Sequence, residues 1–357
     1  MPDPTKKLAS NKVLAPRAAI DICVDGLTER AYLELKDSGT IHARLVGDWA
    51  MQPDGEQNML ELYNYTMTLR NPWNCVGRHF GAKHVGILVE FFDVILGLNP
   101  GWIHKEWKFY EKWMTLESDQ FEGMFHYPYT YGIVINGKDR QWKECVRKLK
   151  ENHNTRHAGI VCWNVAGWCP DSGPIHEDDF VPCTYQFHFQ VIDGKLCMTT
   201  MMRSQDALKG WWLDCFLYSN LAMMMASELE LPVGPYTVFQ NNFHVYPSDI
   251  DEFDHLLREF RLYPGPEEGV MAPKLSRIDW MILQDALRHL YIKVENREDL
   301  YSKQFFDKLS DEYWKSLLAI IFSKYEPDNE ELANYMICTS HSRWRQNIIE
   351  EVLKCTD

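Results

Sequence analysis

Residues 183–206 read CTYQFHFQVIDGKLCMTTMMRSQD, and the fold is decided here. Thr184–Val191 alternates Tyr, Phe, Phe and Val with Thr, Gln, His and Gln, the period-two pattern of a half-buried strand. Asp193-Gly194 supplies a turn suited to positive φ, and Lys195–Met202 returns as the second strand of a hairpin. The turn sets Cys183 and Arg203 at neighbouring strand ends, so a thiol and a guanidinium share one small region.

Downstream, Trp211–Glu228 reads as a long helix, with Leu213, Phe216, Leu217, Leu221 and Met224 at helical spacing and Pro232 bounding it. Thr237–Tyr246 reads as another strand. Upstream, Gln141–Asn152 is an amphipathic helix, HAGIVCWNV (157–165) a buried strand, and GWCPDSGPIHEDD (167–179) a loop. HVGILVEFFDVILGL (84–98) is apolar on nearly every face, as a helix buried on most sides would be, with Asn-Pro-Gly to end it. Glu90 sits in its middle; a carboxylate on so apolar a helix needs a partner, a function, or a route to solvent at the helix edge.

The first ~40 residues are assigned only to a tail leading into Thr40–Gly47. Beyond Lys274 the pattern is helical throughout: Ser276–Val294, Asp311–Tyr325, and a third helix opened by a capping box at Asp328 and Glu331. Its Trp280, Leu287, Trp314, Leu317 and Trp344 stripes require a core to pack on. The expected fold class is α+β, a mixed β-sheet with packed helices. It divides into an N-terminal segment (1–45), a main domain (46–270) and a C-terminal all-helical extension (271–357).

The 37 Lys and Arg against 51 Asp and Glu give a formal charge of −14. That balance, with no basic run, argues against a nucleic-acid or membrane surface, although a few convergent arginines suffice for one phosphate. Ten cysteines show neither a CxxC pair nor regular spacing. No apolar signal core opens the chain and no stretch is long enough to span a bilayer, so reduced thiols in a cytoplasmic setting are expected. No metal site is expected.

VPC (181–183), MRSQD (202–206), Gly210 and FHVY (243–246) together resemble the thymidylate synthase family. Glu90 with Gly97, Tyr131-Gly132, Arg156 and Trp163-Asn164 also fall where that family has functional residues, so the likeness covers roughly residues 80 to 260. The resemblance implies a thymidylate synthase-like sheet and a pyrimidine nucleotide substrate. It also implies 5,10-methylenetetrahydrofolate as one-carbon donor and a homodimer. Cys183 would attack the base at C6, with Arg203 favouring its thiolate. Arg203, Ser204 and Arg156 would clamp the phosphate, Arg156 from the neighbouring subunit. The second arginine usual beside it is here His157, and the arginine that normally arrives on an N-terminal loop would be Arg44 or Arg70. Glu90, with Asn164, would organise water and move protons near the base, and Tyr131 would help remove the C5 proton. Asp206 and Gly210 would hold the folate, and His244 and Tyr246 the sugar hydroxyl.

Asp214 departs from the family, where an asparagine donates to uracil O4 and accepts from N3–H. Cytosine reverses both requirements, and a carboxyl that accepts from N4 and shares a proton with N3 fits it. The other reading of Asp214 is a first-turn acid serving the helix dipole. Thr184 and Met202 replace the usual His and Gln, and with Asp214 they resemble the deoxycytidylate hydroxymethylase branch. The expected reaction is therefore C5 hydroxymethylation of a cytidine monophosphate, dCMP favoured because Ser204 is present, with CMP the alternative. Water would quench the adduct, since the ending EVLKCTD does not resemble the family tail that closes over the folate. The competing readings are C5 methylation of dCMP or dUMP by hydride transfer, and a nucleotide-binding interaction protein without catalysis.

Overall fold

The computed structural model describes residues 17–46, 55–75, 88, 90–92, 94, 141–162, 183–262, 276–296 and 303–326. Strands β1 (Arg17–Asp21), β2 (Thr40–Val46), β3 (Gly55–Leu69), β4 (Gly159–Val161), β5 (Thr184–Ile192), β6 (Lys195–Met202), β7 (Gln205–Asp206) and β8 (Val233–Val245) form one sheet. Its order is β1-β3-β8-β6-β5-β4, with β2 added to β3 and β7 to β8. The pairing is mixed: β3 runs antiparallel to β8, and β8 parallel to β6.

The hairpin read from 183–206 is present, its turn carried by Asp193 at φ 50° and Gly194 at φ 72°. Alternation along its strands then separates two faces. Phe187, Phe189, Met198, Val238, Tyr65 and Met67 are buried on one. Gln186, His188, Thr199, Met201, Thr237 and Phe239 are only partly covered on the other.

The buried face is filled by α3 (Trp211–Leu229), whose residues are buried on every side because the sheet lies against one flank and helices against the other. Phe91, in the helical residues 90–92, meets Phe216 edge-on at 6.0 Å and stacks on Trp314 at 6.5 Å. Helix α2 (Gln141–Glu151) sends Trp142 against Phe189 at 5.8 Å.

The segment read from sequence as a tail contains β1 and helix α1 (Val24–Ser38). Val24, Leu27, Thr28, Ala31, Tyr32 and Leu35 form a buried stripe at helical spacing. A five-residue strand and a single helix carry little periodic signal until the sheet and helix α4 (Ile250–Leu262) supply the surfaces they cover. Tyr32 packs on Phe253 of α4 at 4.7 Å.

Helices α5 (Arg277–Asn296), α6 (Lys303–Phe306) and α7 (Glu312–Tyr325) cover the far side of α3. Trp280, Leu287, Trp314 and Leu317 are buried. Trp280 Nε1 donates to Glu228 at 2.9 Å, and the Tyr313 hydroxyl donates to Asn220 at 2.8 Å. Asp311 caps α7 by accepting from Tyr313 N and Trp314 N. The third helix read at Asp328, and Trp344, lie outside the described residues.

Candidate active site

Cys183 precedes β5 and Arg203 follows β6, and the Arg203 N–H donates to the Cys183 carbonyl at 2.8 Å. The other described cysteines are poor nucleophiles. Burial pushes Cys23 and Cys145 up to about 11 and Cys75 to about 12, and raises Cys162, Cys197 and Cys215 as well. Cys183 is only half-buried, and its backbone is paired with that of Arg203.

After Arg203 the chain turns through β7, which pairs in parallel with β8, setting Gln205 opposite Phe243 and Asp206 opposite His244. His244 Nδ1 lies 2.8 Å from Asn242 Oδ1 and 3.3 Å from Ser204 Oγ. Since the amide oxygen only accepts, the network assigns the proton to Nδ1. Asn242 Nδ2 in turn donates to Glu61 Oε1 at 2.8 Å, and the Tyr63 hydroxyl donates to Glu61 Oε2. Glu61 is buried and sequence reading missed it, because one acid in a long strand gives no signal until the strand's partner is known. Tyr246 meets His244 edge-on at 5.1 Å. Burial, then Asp206 and Cys183, raise its hydroxyl, with Arg203 opposing, so all four belong to one electrostatic neighbourhood.

Asp206 Oδ1 accepts from Leu208 N at 2.8 Å and Lys209 N at 2.9 Å, which shapes the turn into α3. Helix α1 holds that turn: the Tyr32 hydroxyl donates to the Ala207 carbonyl at 2.6 Å, and Trp211 Nε1 donates to Thr28 Oγ1 at 2.7 Å. Lys209 and Asp249 pair at 2.6 Å and tie it to the residues after Tyr246.

Gly210 is the N-cap of α3, and a Cβ there would lie 2.7 Å from Gln205 Nε2. The bare glycine lets the Gln205 amide reach Asp214 Oδ2 at 2.9 Å. Asp214 is in the first turn of α3, but its carboxyl is held by Gln205 and by Tyr218 one turn on. Burial raises it to about 6, those two hydrogen bonds opposing. The Tyr218 hydroxyl also lies 2.7 Å from Thr184 Oγ1. Thr184 and Met202, the other two departures, are both buried and face each other across β5 and β6.

Arg156 stands apart. It is exposed, and its carbonyl lies 3.1 Å from His188 Nε2, on the half-open face of β5. His188 is five residues along β5 from Cys183, roughly 16 Å at the strand rise. Glu90 is partly buried in the helical residues that touch α3 through Phe91 and Phe216. Arg70 is exposed and its N–H donates to the Asp21 carbonyl at 2.8 Å; Arg44 lies in β2, paired with Gln57. Tyr131 and Asn164 lie outside the described residues.

Cys183, Arg203, Asp206 and Asp214 thus gather where the ends of β5, β6 and β7 meet the N-terminus of a buried helix. The thymidylate synthase family profile matches residues 94–285, more than half of the 357 residues, and the chain belongs to that family. It is 29% identical over 133 residues to a putative thymidylate synthase of Methanothermobacter thermautotrophicus, covering 36% of this chain and 56% of that protein. It is 32% identical over 133 residues to the thymidylate synthase of Symbiobacterium thermophilum, covering 37% and 44%. The chain thus spans about half the length of the curated relatives it matches. Thermostable thymidylate synthase A from Bacillus subtilis shares the fold, with a TM-score of 0.51 and 18% identity over 70% of this chain and 86% of that one. No described helix is long and apolar enough to cross a membrane.

Proposed function

We propose that this chain transfers a one-carbon unit from 5,10-methylenetetrahydrofolate to C5 of a cytidine monophosphate, dCMP in preference to CMP, and that water completes the reaction as a hydroxymethyl group. The observation that carries the base assignment is the Asp214 carboxyl, held at the mouth of α3 by Gln205 and Tyr218. Its direct hydrogen bonds to side-chain donors speak against the helix-dipole reading of this residue.

Pyrimidine C5 is a weak nucleophile. Attack of the Cys183 thiolate at C6 moves electron density to C5, and Arg203 beside it favours the thiolate and, with Ser204, meets the phosphate. His244 and Tyr246, positioned through Asn242 and Glu61, address the sugar hydroxyl. Glu90, with Asn164 and Tyr131, moves the protons at the base. The folate supplies the electrophilic carbon. Its pterin suits Asp206, whose Oδ1 is already committed to two backbone N–H groups and whose Oδ2 is the natural acceptor for the pterin's donors. Thr184 and Met202 support the hydroxymethylase branch over a methylase.

The same reading makes the chain a homodimer. On the half-open face of β1, β4, β5 and β6, and of 65–69 with 236–240, no charged side chain stands except Lys195 at the hairpin tip. Arg156 at its edge lies too far along β5 to serve its own Cys183, and a second copy against this face would bring that arginine to the partner's phosphate site.

Incubation with methylenetetrahydrofolate and each of dCMP, CMP, dUMP and UMP, followed by product mass analysis, tests the proposal. Hydroxymethyl-dCMP with tetrahydrofolate is expected. A methyl product with dihydrofolate, seen by its absorbance, would replace water by hydride, and turnover of dUMP alone would refute the base assignment.

A further inference from the structure

The hydrogen bonds around Asp214 have a direction. An ionised carboxylate only accepts, so both the Gln205 amide and the Tyr218 hydroxyl donate to it. Tyr218 has one hydroxyl proton; once it is given to Asp214, the contact at 2.7 Å requires Thr184 to donate to the Tyr218 oxygen. The chain of donors runs Thr184 to Tyr218 to Asp214, with Gln205 entering from the other side. Tyr218 is fully buried and fixed edge-on against Phe187 at 4.9 Å, so its hydroxyl has little freedom to reorient. Gln205 is equally confined: its amide passes over Gly210 with no room for a side chain there.

We propose that Thr184, Tyr218 and Gln205 form a donor relay that orients the Asp214 carboxyl toward the base, so that the residue directly after the nucleophile is a determinant of which pyrimidine is bound. This rests on Asp214 as the base-reading group and extends that reading to three residues that do not touch the base. The reasoning is one of complementary donors. Cytosine N3 and a carboxylate are both acceptors, so a cytosine complex needs one shared proton between them, whereas a uracil brings its own N3–H. The relay decides where that proton goes. With Oδ2 engaged by Gln205, Oδ1 is the oxygen favoured to carry it, and each donor that stabilises the ionised carboxyl lowers the pH above which the shared proton is lost. Cys215 and Tyr236 also feel the Asp214 charge, but burial dominates both, and they stay neutral as Asp214 titrates.

Thr184, Tyr218 and Gln205 are thus positioning residues, and the readout must be one that packing alone does not move. Binding of dCMP, CMP and dUMP to the full chain, without folate, is measured calorimetrically across the titration range of Asp214. The proteins compared are wild type, Thr184→Val, Thr184→Ser and Tyr218→Phe, each checked for folding by its melting curve. In wild type, cytidylate affinity should fall as pH rises through the Asp214 titration while dUMP affinity stays flat. Thr184→Val removes the donor with little change of shape. Below the wild-type midpoint, where Asp214 carries its proton in every variant, it should weaken cytidylate binding about three- to tenfold, and it should move the fall in affinity to higher pH; Tyr218→Phe should do both more strongly, about tenfold. Thr184→Ser, which keeps the hydroxyl, should restore wild-type behaviour. Wild type binding dUMP over both cytidylates overturns the base assignment and the relay with it. Wild type preferring cytidylate, with Thr184→Val and Tyr218→Phe leaving preference and pH midpoint unmoved, overturns the relay alone. Should Tyr218→Phe not fold, Thr184→Val against Thr184→Ser decides the question.

Discussion

The two faces of the central sheet are made by the same strands, yet alternate residues of those strands meet different fates. Phe187 is buried beneath α3 while its neighbour His188 stands on the half-open side; the same contrast holds for Val238 and Phe239, and for Met198 and Thr199. The covered face is filled from within the chain. The other carries Thr, Gln, Met and Phe, with Lys195 its one charged side chain at the hairpin tip, and these residues are only partly covered. An uncharged sheet face is costly to leave in water and suited to a second copy, whereas a surface meant for solvent would carry Lys and Glu. The strand ends where the faces meet hold the Cys183 thiol, and under the proposed dimer the same sheet would be both scaffold and the place where a partner copy's arginine arrives.

Four substitutions would break or sharpen this contrast. The largest effect belongs to the seam. Cys183→Ser should cut product formation about 10⁴-fold or more while shifting the melting temperature little, because it removes the nucleophile and changes one atom of a half-buried side chain. Phe187→Ala should then cost about 3–5 kcal/mol of stability, read from denaturant midpoints compared with wild type at one fixed protein concentration. Phe239→Glu, one step away in chemistry but on the opposite face, should leave the folded protomer intact and weaken association about 100-fold, a shift to monomer in sedimentation with activity lost alongside. Equal melting behaviour for the two would erase the distinction between the faces.

The smallest effect is also the most pH-dependent. Burial raises Asp214 to about 6, above the 3.8 of an exposed carboxyl. Between those values the folded chain holds a proton that the unfolded chain has released, so the stability it contributes is full below the lower value and is lost as pH rises through the upper one. Asp214→Asn removes the titration. The variant should therefore be more stable than wild type at neutral pH by about 2 kcal/mol, less than the whole shift implies because Asp214 keeps some solvent contact, and the gap should close under acid conditions. Paired thermal melts across that range measure it.

Much of the site was legible in the chain because it is concentrated in one hairpin and the segment after it. Period-two alternation and Asp193-Gly194 fix the hairpin, and the hairpin fixes Cys183 beside Arg203. Asp214 and Tyr218 are one helical turn apart, so their shared face was readable from the spacing, although no rule of sequence announces that a tyrosine will reach back to a threonine 34 residues earlier. Glu61, Asn242 and Tyr32 were invisible for a related reason. Each acts through a partner on a strand or helix distant in sequence, and only pairing β3 with β8, or folding α1 against the turn after Asp206, gives them a role.

The sequence by itself determined the hairpin, the buried helix after it, the family likeness and the choice of Cys183 as candidate nucleophile, because these rest on local periodicity and on residues close together in the chain. Tertiary structure alone decided that the segment from Arg17 to Ser38 belongs to the sheet and braces the site. It also decided that Arg156 lies far from its own Cys183, and that the Asp214 carboxyl is held by Gln205 of β7 and Tyr218 of α3, with Thr184 of β5 reaching it only through Tyr218. Those outcomes depend on which surfaces are left to bury and which donors converge from distant segments, and neither exists until the sheet has closed around the helix.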